Sequence, residues 1–398
     1  MQTKLGAITV SIGLGAGIAA CSTARGQIPE GWEIVEIFPA GTEYYCGRPD
    51  INDRGQIVFH RRLWPSRNEI EIILYDRGRL VQLTDDDVYD AFPRINNVGD
   101  IVWSRDLDPD PIVERIGIVR WCSGKLDVFS DPGDDYWGEG SADINDFGQI
   151  VWQRLSRESG AELQIFLFEG NAITPLTDDA LSNQSARINT NGDVVWTQYH
   201  FSASPWFSQI MGYLTGLVRQ LSSGRQQIQG PHLNDFLQVV WTNSQTGVYI
   251  WDAGETQRIV TNNAINARIN NRGAICMSRW DESNKEVGLW LLTDGKLSQI
   301  TDGSFGGNIP EVNARSEITF ESGGFPSYGI ALLTKPSFRA DLDFDGDADV
   351  KDFAILQACF GVSISGMAES CTSSDINNDG NVDSSDIREF VEWFGGPE

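Results

Sequence analysis

Asp341, Asp343, Asp345, Asp347, Asp349 and Asp352 stand at positions 1, 3, 5, 7, 9 and 12 of a segment whose sixth residue is Gly346. Further along, Asp375, Asn377, Asp379, Asn381, Asp383 and Asp386 repeat that spacing around Gly380. Alternate oxygen-bearing side chains on a sharp turn suit calcium, a hard cation that takes about six to eight oxygen ligands. Glycine at the sixth position permits the turn. Two calcium ions are therefore expected, one in each loop.

The elements that must hold these loops are short. Apolar runs from Phe353 to Phe360 and from Ile387 to Phe394 predict one helix after each loop. Residues 341–398 carry 14 acidic and two basic side chains in a chain of net charge −26, which marks the tail as a separate module. Position 12 is Asp rather than the Glu of an ordinary EF-hand, and no clear helix enters either loop. Those features and the duplication resemble a type I dockerin over residues 339–398. The resemblance implies a cohesin-like protein partner and a place in extracellular assemblies, often polysaccharide-degrading ones. A dockerin loop often holds a partner-contacting hydroxyl pair at positions 10 and 11. Ser384 and Ser385 match it, whereas the first loop has Val350 and Lys351 and the spacer is longer than usual. The alternative is a calcium-stiffened module that ends the chain or attaches it to a surface. Cys359 and Cys371, close together in the spacer, predict a disulfide in an oxidising compartment.

Lys4 followed by the apolar Leu5 to Ala20 reads as a secretory signal peptide over residues 1–26, with Ala24-Arg25-Gly26 as a small-x-small cleavage site. Ile18-Ala19-Ala20-Cys21 also resembles a lipobox, which would leave a lipid anchor at Cys21. Both routes place the chain outside the cell, secreted or at the cell surface, and no later window is long enough for a membrane span. Cys46, Cys122 and Cys276 are an odd set, so at least one is expected to be a buried thiol. The 30 basic against 56 acidic residues argue against nucleic acid and against a basic membrane-surface helix.

The rest of the chain is built from one recurring phrase. Ile51-Asn52-Asp53-Arg54-Gly55-Gln56-Ile57-Val58-Phe59 returns with variation at Asn96, Asn145, Asn189, Asn234, Asn270 and Asn313. Steps of 36 to 49 residues between these asparagines suit a β-propeller, whose blades each take about 40 to 50 residues. The fold class expected is all-β: a seven-bladed β-propeller over residues 27–338 with the small α-helical dockerin-like domain at 339–398. The fifth unit is short and carries Leu237 in place of the glycine, so six and eight blades are the alternatives. Each unit divides into four strands, with the Asn and Gly forming a tight hairpin between the first and second. The last unit lacks an outer strand, and Trp32 to Phe38 is the spare strand that would complete it. The strand at Ile72, Leu83-Thr84-Asp85, Pro93 and the hairpin before Ile101-Val102-Trp103 resemble the TolB-type propeller repeat, a relative of WD40. That likeness implies a fold and no ligand.

No catalytic constellation emerges from the sequence. His60, His200 and His232 lack metal-ligand spacing, and nucleophile elbows, zinc-protease helices and phosphate loops are missing. Repeated Asn, Gly and Trp are read as turn and packing residues; a functional site would use residues that differ between units. Trp64, Tyr89, Tyr136, Trp137, Tyr199 and Trp206, taken as loop aromatics, are the ligand-binding candidates, because aromatic faces with polar neighbours suit sugar rings or peptides. The expectation is a secreted non-catalytic propeller that binds a carbohydrate or protein and is docked through its calcium module. The alternative is a polysaccharide hydrolase or lyase using loop carboxylates, such as those of Asp85-Asp86-Asp87.

Overall fold

The computed structural model describes residues 28–41, 44–63, 69–108, 115–130, 136–156, 162–243, 245–280, 287–324, 327–344, 348–363, 369–377 and 379–394. Residues 1–26 with Cys21, together with Trp64, Asp345 and Asp347, lie outside that set.

Each repeat folds as antiparallel strands hydrogen-bonded in chain order. In the first, Tyr44–Ile51, Ile57–Leu63, Ile70–Asp76 and Arg79–Gln82 follow one another across a four-stranded sheet. The units from Ser182–Ile188 to Leu217–Gln220, from Gln229–Leu233 to Glu255–Thr261 and from Ala264–Ile269 to Lys296–Gln299 are built alike. The second and third repeats, Asp90–Ile95 to Lys125–Ser130 and Tyr136–Ile144 to Ala172–Pro175, share an eight-stranded sheet. A single parallel pairing, Gly138 with Ile116, joins these halves.

The last sheet contains Gly306–Val312, Ile318–Gly324 and Ser327–Thr334, and its outer strand comes from the other end of the chain. Glu33–Phe38 supplies it, with Glu33 opposite Thr334. The exchange covers an edge that would otherwise offer unpaired backbone groups.

Repeated residues explain the regularity. The second strand of each unit is packed on both faces, so Ile57, Val58 and Phe59 are all fully buried, as are Ile150, Val151 and Trp152. Before it, Asn52 Oδ1 accepts from the backbone N–H of Arg54 and Gln56 at 3.1 and 3.0 Å, and Gly55 takes φ 75°. In the fifth and last copies Leu237 and Ser316 adopt φ 60° and 66°, so the turn survives without glycine at a conformational cost. The hydroxyl of the Leu-Thr pair closes the outer strand: Thr84, Thr177, Ser222 and Thr301 accept the N–H groups of Ile72, Ile165, Ile210 and Leu289 at 2.8 to 3.0 Å. Three buried tryptophans find a partner thirteen residues upstream: Trp103 donates to Asp90, Trp152 to Glu139 and Trp196 to Asn183.

In the tail, Val350–Cys359 and Ser384–Trp393 are α-helices around a core of Leu342, Leu356, Val382 and Phe390. Each begins three residues earlier than the apolar pattern predicts. Asp349 and Asp383 cap them, and Asp352 and Asp386 return the bond to the cap backbone, which extends each helix back into its loop. Cys359 and Cys371 form a disulfide, while Cys46 and Cys276 are buried free thiols and Cys122 is partly exposed. No helix among the described residues is long and apolar enough to cross a membrane.

Candidate functional site

The seven repeated asparagines face one axis and bond to one another. The side-chain amide of Asn52 donates to the carbonyl of Asn96, Asn96 to Asn145, Asn145 to Asn189 and Asn189 to Asn234. Asn234 continues to Asn270, Asn270 to Asn313, and Asn313 returns to Asn52. The distances are 2.8 to 3.1 Å, and the circuit is closed. Each asparagine thus shapes its own hairpin through Oδ1 and ties the next through Nδ2. A cavity of about 170 Å³ opens at this collar, lined from every repeat.

Two positions before each asparagine the residue changes from repeat to repeat: Asp50, Arg94, Asp143, Arg187, His232, Arg268 and Glu311. Glu311 is the hub. Its carboxylate accepts from Arg94 at 2.8 Å and from Arg187 and Arg268 at 2.9 Å, with His232 at 3.9 Å. Arg94 also bonds Asp50 at 3.2 Å, and Arg187 lies 3.7 Å from Asp143. Burial would raise the Glu311 carboxyl, but Arg268, Arg94 and Arg187 outweigh it and hold it well below the usual carboxylate range. Burial drives the His232 imidazole well below its ordinary value, so it is neutral, and lifts Asp50 to about 6 against the pull of Arg94. Sequence reasoning missed this tier. Its signal was an ionisable residue two places before all seven asparagines.

No protein-family model matches the chain, and no curated protein matches it. Solved structures do. The β-propeller domain of the Trilobed protease from Pyrococcus furiosus is 14% identical with a TM-score of 0.53, over 74% of this chain and 96% of that one. A puromycin-hydrolysing peptidase of Mycobacterium tuberculosis is 11% identical with a TM-score of 0.56, over 74% of this chain and 52% of that one. An acylaminoacyl peptidase of Pyrococcus horikoshii is 14% identical with a TM-score of 0.50, over 71% of this chain and 49% of that one.

The fold is a β-propeller.

Against the two peptidases the chain spans about half of their length, and the likeness concerns fold alone. Within the propeller the asparagine collar lies at the axis, and the charged tier fills it just inside.

The ligand candidates of the tail lie beyond the propeller's last strand. Carboxylate oxygens of Asp341, Asp343 and Asp352 approach within 4.8 Å of one another. This all-oxygen set fits a hard cation. Asp352 Oδ1 accepts the N–H groups of Leu342 and Asp343, and Asp386 Oδ1 accepts those of Ile376 and Asn377, at 2.6 to 3.2 Å. The two loops are thus tied alike. In the second, Asp375 accepts from Asp379 and Gly380 backbone at 3.0 and 2.9 Å, while Asp379 and Asn381 are joined to each other near the exposed rim. Of the hydroxyl pair, Ser384 is exposed, whereas Ser385 donates to Asp383 and accepts from Asn377.

Of the aromatic candidates whose side chains are described, Tyr199 and Trp206 come together and Tyr89 stands apart. Tyr199 belongs to the strand Val194–His200 opposite Ser208, not to a loop, because that hairpin stays paired as far as His200 with Phe207. It stacks on exposed Phe201 at 5.1 Å, with Trp206 6.5 Å away. Tyr136 and Trp137 likewise open the strand Tyr136–Ile144, and their side chains lie outside the described set. Tyr89 sits in another blade, bridged through its backbone to Ile70. Of the acidic turn, Asp86 joins Glu71 and Asp90, and Arg105 bonds both aspartates at 2.5 and 2.6 Å. Burial pushes Glu71 and Asp90 up to about 7.

Proposed function

We propose that the chain is a non-catalytic, seven-bladed β-propeller that binds a carbohydrate or protein outside the cell. Residues 339–398 act as a dockerin-like module holding two calcium ions, and through it the propeller joins an extracellular assembly. The observation that carries this reading is the hydrogen-bond scheme shared by both tail loops, in which Asp352 and Asp386 clamp the loop start and the helix cap together. When bound, calcium would be held by Asp341, Asp343, Asp349 and Asp352, and by Asp375, Asn377, Asp379, Asn381, Asp383 and Asp386, and would stiffen each loop. The outward Ser384 is then the hydroxyl left for a cohesin-like partner.

The seven-blade count is supported by the seven-membered asparagine circuit. A non-catalytic axis is supported by the mutual pairing of its charges, which leaves Glu311 enclosed by three arginines. The deciding experiment is capture from the native culture by the full mature chain, with calcium and with EGTA. A calcium-dependent partner lost on D386A supports docking; calcium-independent or absent capture rejects it.

The competing reading, a polysaccharide hydrolase or lyase, draws on the convergence of Glu71, Asp86 and Asp90. Release of reducing sugar that disappears in D86N would establish it. The commitment of these groups to Thr84, Trp103 and Arg105 favours a structural role.

A further inference from the structure

A second cavity, of about 390 Å³, lies between the propeller and the tail. Its lining includes Arg54, Arg77, Arg315, Lys335 and Arg339. Five cations here stand out in a chain with only 30 against 56 acidic residues. The carboxylates in the same wall are Glu317, Asp375 and Glu389.

Two of the cations are already matched. Arg315 bonds Glu317 at 2.5 Å and Asp341 at 3.3 Å, and Arg339 lies 3.7 Å from Glu33. Glu317 is further taken by Thr334 and Asn313, and Asp375 by its own loop backbone. Among the described residues, Arg54, Arg77 and Lys335 form no ion pair. Lys335 lies 5.3 Å from the Trp32 ring centroid. Arg77 donates one N–H to the Ser373 carbonyl at 2.6 Å and packs over Phe344 at 4.9 Å. Burial pulls its guanidinium down to about 10, against the pull of Asp76 and Asp341.

Arg54 reaches solvent, whereas Arg77 and Lys335 are only partly exposed, and a cation withdrawn from water costs free energy unless an anion completes it. A guanidinium presents paired N–H donors that match an oxyanion in two-point contact. We infer that the cavity between propeller and tail is a binding site for a small oxyanion, sulfate or carboxylate, held by Arg77 with Arg54 and Lys335. Arg77 already ties the first blade to the tail through the Ser373 carbonyl, and an anion held by its remaining N–H groups would fix it in that position. The cavity wall shares Asp375 and Asn377 with the second loop of the tail, so calcium is held constant in the test.

The test uses the full mature chain in constant calcium and constant ionic strength, replacing chloride with millimolar sulfate in one arm and malonate in another. Titration calorimetry should give one site for at least one anion, and at 10 mM that anion should raise Tm by about 2 °C or more. Arg77→Gln should weaken binding about tenfold or more, and Arg77→Lys should recover part of it. Arg54→Gln repeats the test where Arg77→Gln fails to fold. The inference is overturned by the absence of heat with both anions, by a Tm rise undiminished in the folded variants, or by a fall in Tm with anion. The last outcome would mean that the cations serve only to clamp the acidic tail.

Discussion

The side-chain amide of Asn313 donates to the carbonyl of Asn52 at 3.0 Å across 261 residues of sequence. Six similar bonds link neighbours 36 to 49 residues apart, and this one makes the row a circle. It works beside the strand Glu33–Phe38, which ties the same two ends of the propeller at its outer rim.

Asn313→Ala should destabilise the propeller by roughly 1–3 kcal/mol, since it strands the Asn52 carbonyl and removes the acceptor for the Arg315 and Glu317 N–H groups. Urea unfolding of the variant against the parent measures this. An unchanged midpoint would show that the collar adds nothing to closure.

Glu311→Gln should be costlier, about 3–5 kcal/mol, because three arginines, Arg187 and Arg268 buried and Arg94 partly so, lose the anion they share. The native carboxyl is held well below its unfolded value, so its contribution is present above the unfolded pKa and is lost as pH falls through the folded one. The penalty of the substitution should therefore shrink in strong acid. A penalty that stays constant from neutral pH down to pH about 2 would contradict the charge balance described here.

Glu71 titrates in the opposite sense. Its folded carboxyl keeps a proton up to about 7, whereas the unfolded one releases it near 4.5. Across that window the unfolded chain binds fewer protons, so this group lowers stability as pH rises from 4.5 to 7. Chemical unfolding at closely spaced pH values should show the decline in the parent and a flatter profile in Glu71→Gln. Parallel profiles would place the proton elsewhere.

Calcium titration of chelator-stripped protein should saturate at two ions per chain, and Asp386→Ala should reduce this to one while lowering the Tm of the tail. Asp352→Ala should remove the other ion. Uptake of two ions by both variants would separate calcium from these loops.

How much was legible in advance follows from the range of each interaction. The Asn-to-Gly hairpins, the buried Ile-Val-Trp strands and the alternating acids of the tail depend on partners within a few residues, such as Asn52 with Gln56 or Asp383 with Ser385. Turn chemistry and period therefore exposed them in the sequence, as did the spare strand before the first repeat. Helix starts were misplaced because a cap is decided by the geometry of Asp349 and Asp383, not by apolar periodicity. Tyr199 was misplaced because a hairpin's paired length depends on its partner strand.

The amino-acid sequence by itself determined the repeat, the four-strand unit and the alternating acidic spacing of the tail, all of which rest on local backbone preference. Only the tertiary structure decided that Asp50, Arg94, Asp143, Arg187, His232, Arg268 and Glu311 share one axis, and that Arg315 meets Asp341 at the module boundary. Those encounters depend on the twist and number of stacked sheets. Each repeat adds a small rotation that no single segment encodes, and only their sum brings residues from distant repeats within bonding distance.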